Sequence, residues 1–328
     1  HNLHDGDVHL TLADTGWGKT VWGKFYGQMI CGATVFVYDY EGKFEASELL
    51  DVLQNHRITS FCAPPTIYRM LLLEDVTKYN LSSLRWCTTA GEALSPSVFD
   101  EWEQKTGIKI YESYGQTETT LVVGTYPWVK PKAGAMGRRN AQFNIDVVDE
   151  EGKHVAPMVH GELVIKVGET KPLGLFKCYY RNEEMTEKRI QNGLYYTGDI
   201  VYYDEDGYLW YVSRSDDVIK TSGYRVGPFE VESALMTHPS VVECAITAVP
   251  DPIRGQIIKA TIVLTPKYRD MIADSDAQRK QLIKELQDHV KHETAPYKYP
   301  RVVEFVTELP KTISGKIRRA EIRGKEKN

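Results

Sequence analysis

The sequence predicts an α/β fold in three parts. Residues 1–126 read as part of a large α/β domain, a parallel sheet layered with helices. Residues 127–215 read as a small β-barrel subdomain of it, and 216–328 as a separate compact α+β domain. Three observations predict this. Short apolar runs alternate with amphipathic helical segments over the first part, the pattern of a parallel sheet covered by helices. From about Pro127, short strands separated by turn clusters replace that alternation. After Ser213 a glycine loop intervenes, and strands and helices of a smaller set follow.

Residues 8–12 read as a strand, and Asp14-Thr15-Gly16-Trp17-Gly18 as the loop after it. A helix over about 21–31 carries Trp22, Phe25, Tyr26 and Met29 near helical spacing. Residues 33–38 (ATVFVY) are continuously apolar, as in a strand buried inside a parallel sheet. Helix 46–56 turns Leu49, Leu50 and Leu53 inward. Strand 59–62 is broken by Pro64-Pro65, which cannot donate ladder hydrogen bonds, and helix 66–74 follows. Strand 85–89 leads into Ala90-Gly91-Glu92-Ala93, Ser95-Pro96 opens a helix, and strand 109–112 ends in a polar run over 113–119. The 14–18, 90–93 and 112–119 loops all follow strand carboxyl ends, where open α/β sheets hold ligands.

Strands near 144–148, 162–167 and 208–212 make the β-rich part, with Asp204-Glu205-Asp206-Gly207 as a hairpin turn. Pro228 suits the first turn of a helix, and Glu230 and Glu232 suit its positive end. Val231, Ala234 and Leu235 give that helix an apolar face, and His238-Pro239 stops it. Strands near 241–249, 259–265 and 301–306 and a helix near 276–291, with Leu282, Leu286 and Val290 inward, complete the last part. The tail over 311–327 is basic and reads as mobile in part.

Composition excludes several classes. At 42% hydrophobic and 26% charged, the 328 residues are ordinary for a globular protein. A net charge of −5 gives no basic field for nucleic acid or anionic membrane. No apolar run approaches the roughly 18–20 residues that span a bilayer. The five cysteines are scattered without a C-x-x-C pair, which argues for reduced thiols and a cytoplasmic setting, against a zinc site or disulfide scaffold. The chain opens His1-Asn2-Leu3-His4, without Met, and reads as lacking an N-terminal part.

Four stretches carry chemistry. In Tyr111-Glu112-Ser113-Tyr114-Gly115-Gln116-Thr117-Glu118-Thr119, Thr117 offers donors for a phosphate and Glu118 a hard oxygen ligand for Mg²⁺. Tyr114 offers a flat face to a purine, and Gly115 lets backbone come close. In Tyr196-Thr197-Gly198-Asp199, the Asp199 carboxylate can accept from two ribose hydroxyls. Residues 213–232 place Asp216 and Asp217 between a hairpin-rich run and the loop Thr221-Ser222-Gly223-Tyr224-Arg225. That arrangement reads as a hinge beside a site, or as a solvated turn. Leu309-Pro310-Lys311-Thr312-Ile313-Ser314-Gly315-Lys316 reads as a basic tail or as a loop presenting a lysine.

Taken together, these motifs resemble the adenylate-forming enzymes, the superfamily of acyl-CoA synthetases, peptide-synthetase adenylation domains and firefly luciferase. They stand in family order over nearly the whole chain. The resemblance implies ATP, Mg²⁺ and coenzyme A as cofactors and a small carboxylic acid as substrate. It gives Lys316, Thr117 and Glu118 catalytic roles, with Glu118 the metal ligand. Nucleotide contacts would come from Gly91, Glu92, Ala93, Glu112, Ser113, Tyr114, Gly115, Gln116, Asp199, Arg214 and Arg225. Asp216 would be the hinge. Among its members the medium-chain acyl-CoA synthetases look most similar, through 221–225, 251–255 and 294–300. That similarity implies CoA contacts at Ser222, Gly223, Tyr224, Arg254, Lys291 and Tyr299. It implies an acyl pocket at Trp17, Gly18, Ala90 and Gly115, whose small residues leave room for a medium-chain, branched or aryl acid. The family's phosphate loop, ending in Pro-Lys, is absent upstream of Asp14, so the chain is expected to be inactive alone. An adenylate ligase serving a carrier protein, or a fragment that only binds nucleotide or CoA, are the alternatives. The oligomeric state stays open.

Overall fold

The computed structural model describes residues 1–13, 15–39, 44–312 and 316–324. The chain divides into two compact units, His1–Thr197 with Val201–Tyr211, and Gly198–Ile200 with Val212–Asn328.

In the first unit, β1 (Val8–Thr11), β2 (Thr34–Phe36), β3 (Ser60–Cys62), β4 (Trp86–Ala90) and β5 (Ile110–Gln116) form a parallel array in the order β2-β1-β3-β4-β5. The order reverses at β1, so the crevice beyond the carboxyl ends of β1 and β3 is the switch point of the sheet. Helices Ala46–Asn55, Pro65–Leu72 and Pro96–Thr106 supply the core. Leu49, Leu50, Leu53, Tyr68, Leu71 and Trp102 are buried there with Leu10, Phe61 and Ile110 of the strands. Pro65 and Pro96 stand at the starts of their helices, where a missing N–H costs nothing.

The sheet continues through β6 (Thr120–Gly124), β7 (Ala135–Arg139), β8 (Ile145–Val148), β9 (Gly161–Lys166), β10 (Ile190–Gln191), β11 (Leu194–Tyr203) and β12 (Leu209–Arg214), ordered β5-β6-β7-β12-β11-β9-β8 with β10 on β11. The β-rich stretch, expected as a small β-barrel or β-sandwich subdomain of the same domain, is paired edge to edge with the parallel array. The link is the antiparallel hairpin of β5 and β6. It also makes residues 113–116 strand where a loop was expected.

Two other expectations change. Residues 33–38 were read as a buried strand, but β2 is short, lies at the end of the sheet path and is nowhere buried. The helix expected over 21–31 exists as Gly18–Thr20, a π-helical stretch Val21–Tyr26, and Gly27–Ile30. Its Trp22, Phe25, Tyr26 and Met29 are exposed.

The second unit holds β13 (Ile219–Thr221), β14 (Tyr224–Val226), β15 (Val241–Asp251), β16 (Gly255–Leu264) and β17 (Val302–Val306), ordered β14-β13-β16-β15 with β17 parallel on β16. Helices Pro228–Met236 and Asp276–Glu293 bury Val231, Leu235, Leu282, Leu286 and Val290 against it. Part of the basic tail is folded: Arg319–Gly324 is helical, and Ile322 is buried with Leu309 and Ala245. The rest of the stretch expected to be mobile, 313–315 and 325–327, lies outside the described residues.

Candidate active site

In the first unit the structure gathers three of the expected loops at one end of the parallel array. Ala90 is in register with Ser113, and Thr89 with Glu112. A Cβ built on Gly18 would lie 3.3 Å from the Thr117 side chain, so the loop after β1 lies against the hairpin. Gly91 turns the chain out of β4 with φ +102°, a conformation that favours glycine. Glu92 Oε2 accepts from the Thr66 hydroxyl at 3.0 Å, and Ala93 completes the bend. Trp17 precedes the first helical turn, with the Lys19 ammonium 5.4 Å from its ring centre.

The hairpin itself is tightly tied. Gln116 donates its amide to the Thr197 carbonyl at 2.9 Å and accepts from the Tyr195 hydroxyl at 2.8 Å. Glu118 accepts from the Tyr179 hydroxyl at 2.8 Å, which orients its carboxylate. A Cβ on Gly115 would meet the Thr120 carbonyl oxygen at 1.7 Å. The structure thus gives Gly115 a reason other than an open pocket: β5 and β6 touch backbone to backbone there. Thr120 holds φ +57°, an outlier for a β-branched residue. Such strain persists where the surroundings over-determine it.

Glu112 is buried, and burial pushes its carboxyl up to about 8, against one weak backbone donor, Leu94 N–H, at 3.4 Å. On β1, His9 is buried between the Ser60 and Thr11 hydroxyls at 2.9 and 2.6 Å, and burial pushes its imidazole down to about 3.

In the second unit, Asp199 is buried and Arg214 Nε lies 3.7 Å from its carboxylate and 3.6 Å from that of Asp216. The Asp216 side chain is 71% exposed, whereas that of Asp217 is 11% exposed and ion-paired with Arg323. Thr221 pairs with Tyr224 across Ser222 and Gly223, whose φ values are +50° and +84°. Two central residues of positive φ mark a type I′ hairpin turn. Arg254 donates to the Ser222 hydroxyl at 3.0 Å, and Tyr224 stacks on Tyr297 at 4.2 Å. Arg225 pairs with Lys220 across that hairpin. Lys291 lies 4.5 Å over the Tyr299 ring and 2.7 Å from Asp288. Thr312 N–H donates to the Lys316 carbonyl at 2.8 Å. Ile313, Ser314 and Gly315 lie outside the described residues, as does Asp14.

Sequence reasoning missed Tyr179, Thr66 and Tyr297, which hold expected residues in place, gave Glu232 only a helix-end role, and also missed Arg319 and Arg323. Only the last two left a signal, their i, i+4 spacing in the tail.

Residues 1–180, more than half of the chain, match the family described as AMP-binding enzyme, and 230–316 match AMP-binding enzyme C-terminal domain. The chain belongs to the AMP-binding enzyme family. It is 48% identical over 325 residues to acyl-coenzyme A synthetase ACSM3, mitochondrial, of Rattus norvegicus, covering 99% of this chain and 55% of that protein. It is 44% identical over 324 residues to acyl-coenzyme A synthetase ACSM5, mitochondrial, of Homo sapiens, with the same coverages, 99% and 55%. The chain thus spans about half the length of the curated relatives it matches. Among solved structures it resembles the anthranilate CoA ligase AuaEII in complex with anthranoyl-AMP, with TM-score 0.86, 34% identity, and 99% and 60% of the two chains covered. A benzoate CoA ligase from Burkholderia xenovorans LB400 follows, with TM-score 0.82, 29% identity, and coverages of 98% and 62%.

The curated relatives are named mitochondrial, where the cysteine pattern pointed to the cytoplasm. A set of unpaired thiols does not tell one compartment from the other. All five cysteines are free, and no helix among the described residues is long and apolar enough to cross a membrane.

Proposed function

We propose that the protein is an AMP-forming acid–thiol ligase that activates a carboxylic acid with ATP and passes the acyl group to coenzyme A. The observation that carries this reading is the convergence of the Trp17-Gly18 loop, the Ala90–Ala93 bend and the 112–118 hairpin at the carboxyl end of one parallel array. The acid's carboxylate oxygen attacks the α-phosphorus, and the bond to the β-phosphate breaks, releasing pyrophosphate. The CoA thiolate then attacks the acyl carbonyl, and the bond to AMP breaks.

In this reading Thr117 and the hairpin backbone bind phosphate, Tyr114 lies along the purine, and Asp199 with Arg214 takes the ribose. Lys316 neutralises charge as the new P–O bond forms. Asp216, exposed and adjoining the anchored Asp217, is the pivot between the two half-reactions, and the 222–225 turn, Arg254, Lys291 and Tyr299 serve CoA. The donor set fits Mg²⁺ arriving on the nucleotide: Glu118 is one oriented carboxylate, and no group of three or more His, Cys, Asp or Glu among the described residues forms a cage. Bound there, Mg²⁺ would neutralise phosphate charge. The acid is medium-chain, branched or aryl, supported by the small Gly18 and Ala90, and the setting is a reducing compartment.

The test measures the two half-reactions separately, in a protein of the relatives' full length that carries this chain. Lys316→Ala should cut adenylate formation by about 10²–10³, or about 3–4 kcal/mol, and spare thioester formation from synthetic acyl-adenylate. In the same assay wild type should prefer C4–C10 acids or benzoate over acetate, and Ala90→Phe should reverse that order. Adenylate formed from no acid, or an equal loss in both half-reactions with Lys316→Ala, overturns the reading.

A further inference from the structure

The loop that presents Lys316 is held at both ends by ion pairs whose acidic partners are almost fully buried. On the entering side, Lys311 Nζ lies 2.7 Å from Glu243 Oε2, and Lys311 bridges to Ile317 across the loop. On the leaving side, Arg319 Nη2 reaches both oxygens of Glu232 at 2.7 Å, a bidentate pair. Glu232 is 6% exposed and also accepts from Ile246 N–H at 2.9 Å. One turn later Arg323 pairs with Asp217, and Arg319 lies 3.9 Å from the same carboxylate. Glu232 was expected to serve the positive end of its helix. It points into the unit instead and holds the tail helix.

Asp217 is the unusual member of this set. It does not lie on the sheet or on a core helix, but on the short connection directly after Asp216. Arg319 and Arg323 thus clasp two places at once, the core helix Pro228–Met236 through Glu232 and the connection through Asp217. A charge removed from water is costly unless paired, so neither carboxylate stays in place without its arginine. Ion pairs made only to surface residues would give a loosely held tail. This set gives a tail whose attachment follows the connection.

We propose that Asp217 and Arg323 are positioning residues that join the Lys316 loop to the turning side of the pivot. The clasp then sets where Lys316 stands relative to the connection that follows Asp216. The proposal rests on the reading of Lys316 above, and adds that its placement is set from 106 residues upstream of Arg323.

The experiment uses a protein of the relatives' full length that carries this chain, with Asp217→Asn, Arg323→Gln and the exchanged pair Asp217→Arg with Arg323→Asp, beside Lys316→Ala as reference. Each single variant should lower kcat of adenylate formation about tenfold while KM for the acid and ATP stays within twofold, since a misplaced group costs rate before binding. Thioester formation from synthetic acyl-adenylate should stay near wild type, and the exchanged pair should regain most of the lost rate. Hydrogen exchange over 311–324 should rise in the singles and return in the exchanged pair. Equal loss in both half-reactions, or singles with unchanged rate and unchanged exchange, overturns the proposal. If Lys316→Ala leaves adenylation intact, the catalytic reading of Lys316 falls. The exchange data then still decide whether the clasp holds the loop.

Discussion

Gly115 in the first unit and Gly223 in the second lie in motifs that read alike in the sequence, each a glycine flanked by Tyr and polar residues. Their surroundings differ. Gly115 has φ outside the left-handed region, yet a Cβ there would lie 1.7 Å from the Thr120 carbonyl oxygen. Gly223 has φ +84°, yet a Cβ there would meet nothing within 4 Å. One glycine is required by space and the other by torsion. The hairpin of β5 and β6 is therefore a backbone device, with strands pressed together and side chains such as Tyr179 and Tyr195 bracing it. The 222–223 turn has room around its glycine; Ser222 N–H donates to the Arg254 carbonyl at 3.1 Å, Arg254 donates to the Ser222 hydroxyl, and Tyr297 stacks on Tyr224.

The largest effect expected from this contrast is at Gly115. Gly115→Ala should cost about 3 kcal/mol or more, because the clash is with backbone and the hairpin must separate. The check is the thermal midpoint and soluble yield beside wild type. A shift under about 1 kcal/mol would mean the two strands do not close this tightly. For the same reason a Gly115→Trp variant cannot report on acyl-chain length, which is why Ala90 is the better probe.

A middle-sized effect concerns charge in the backbone-built unit. Burial raises Glu112 from 4.5 to about 8, so the native state keeps a proton that the unfolded chain has lost, and stability declines as pH rises from 4.5 to 8. Burial lowers His9 from 6.5 to about 3, so the unfolded chain takes up a proton that the native state refuses, and stability declines as pH falls from 6.5 to 3. Between 4.5 and 6.5 the two slopes cancel. Urea midpoints should form a plateau there and fall on both sides. In Glu112→Gln the alkaline fall should vanish and the acid fall remain. An unchanged alkaline fall would show that another group titrates.

The smallest effect is at Gly223. Gly223→Ala should cost about 1–2 kcal/mol and Gly223→Asn less, since Asn tolerates positive φ. If thioester formation falls far more than stability explains, the turn touches a ligand as well as closing a hairpin.

The sequence made some of this legible and hid the rest for physical reasons. Leu49, Leu50 and Leu53 announced their helix through period alone, as did Leu282, Leu286 and Val290, because a single buried stripe leaves a clear pattern. Strand β2 was misread because an apolar run does not say whether both of its edges find partners. The hairpin was read as a loop because polar residues that serve a ligand or a brace break strand alternation. The loops of the candidate site were legible as motifs. Their braces were not, since Tyr179 lies 61 residues from Glu118, and Arg323 lies 106 from Asp217. Pairings so distant leave no local period to read.

The first helix and β2 carry a practical consequence for anyone handling this chain. Trp22, Phe25, Tyr26, Met29 and Ile30 face solvent along a helix with a π-helical turn, and Val37 does so just after β2. Among the described residues β2 is paired on one side, to β1. Bare apolar side chains beside an open strand edge draw copies of a chain together as concentration rises. Light scattering or sedimentation on this chain would register that stickiness first. A molecular mass measured at high concentration is therefore a reading of colloidal behaviour, and becomes a reading of assembly only when dilution leaves it unchanged.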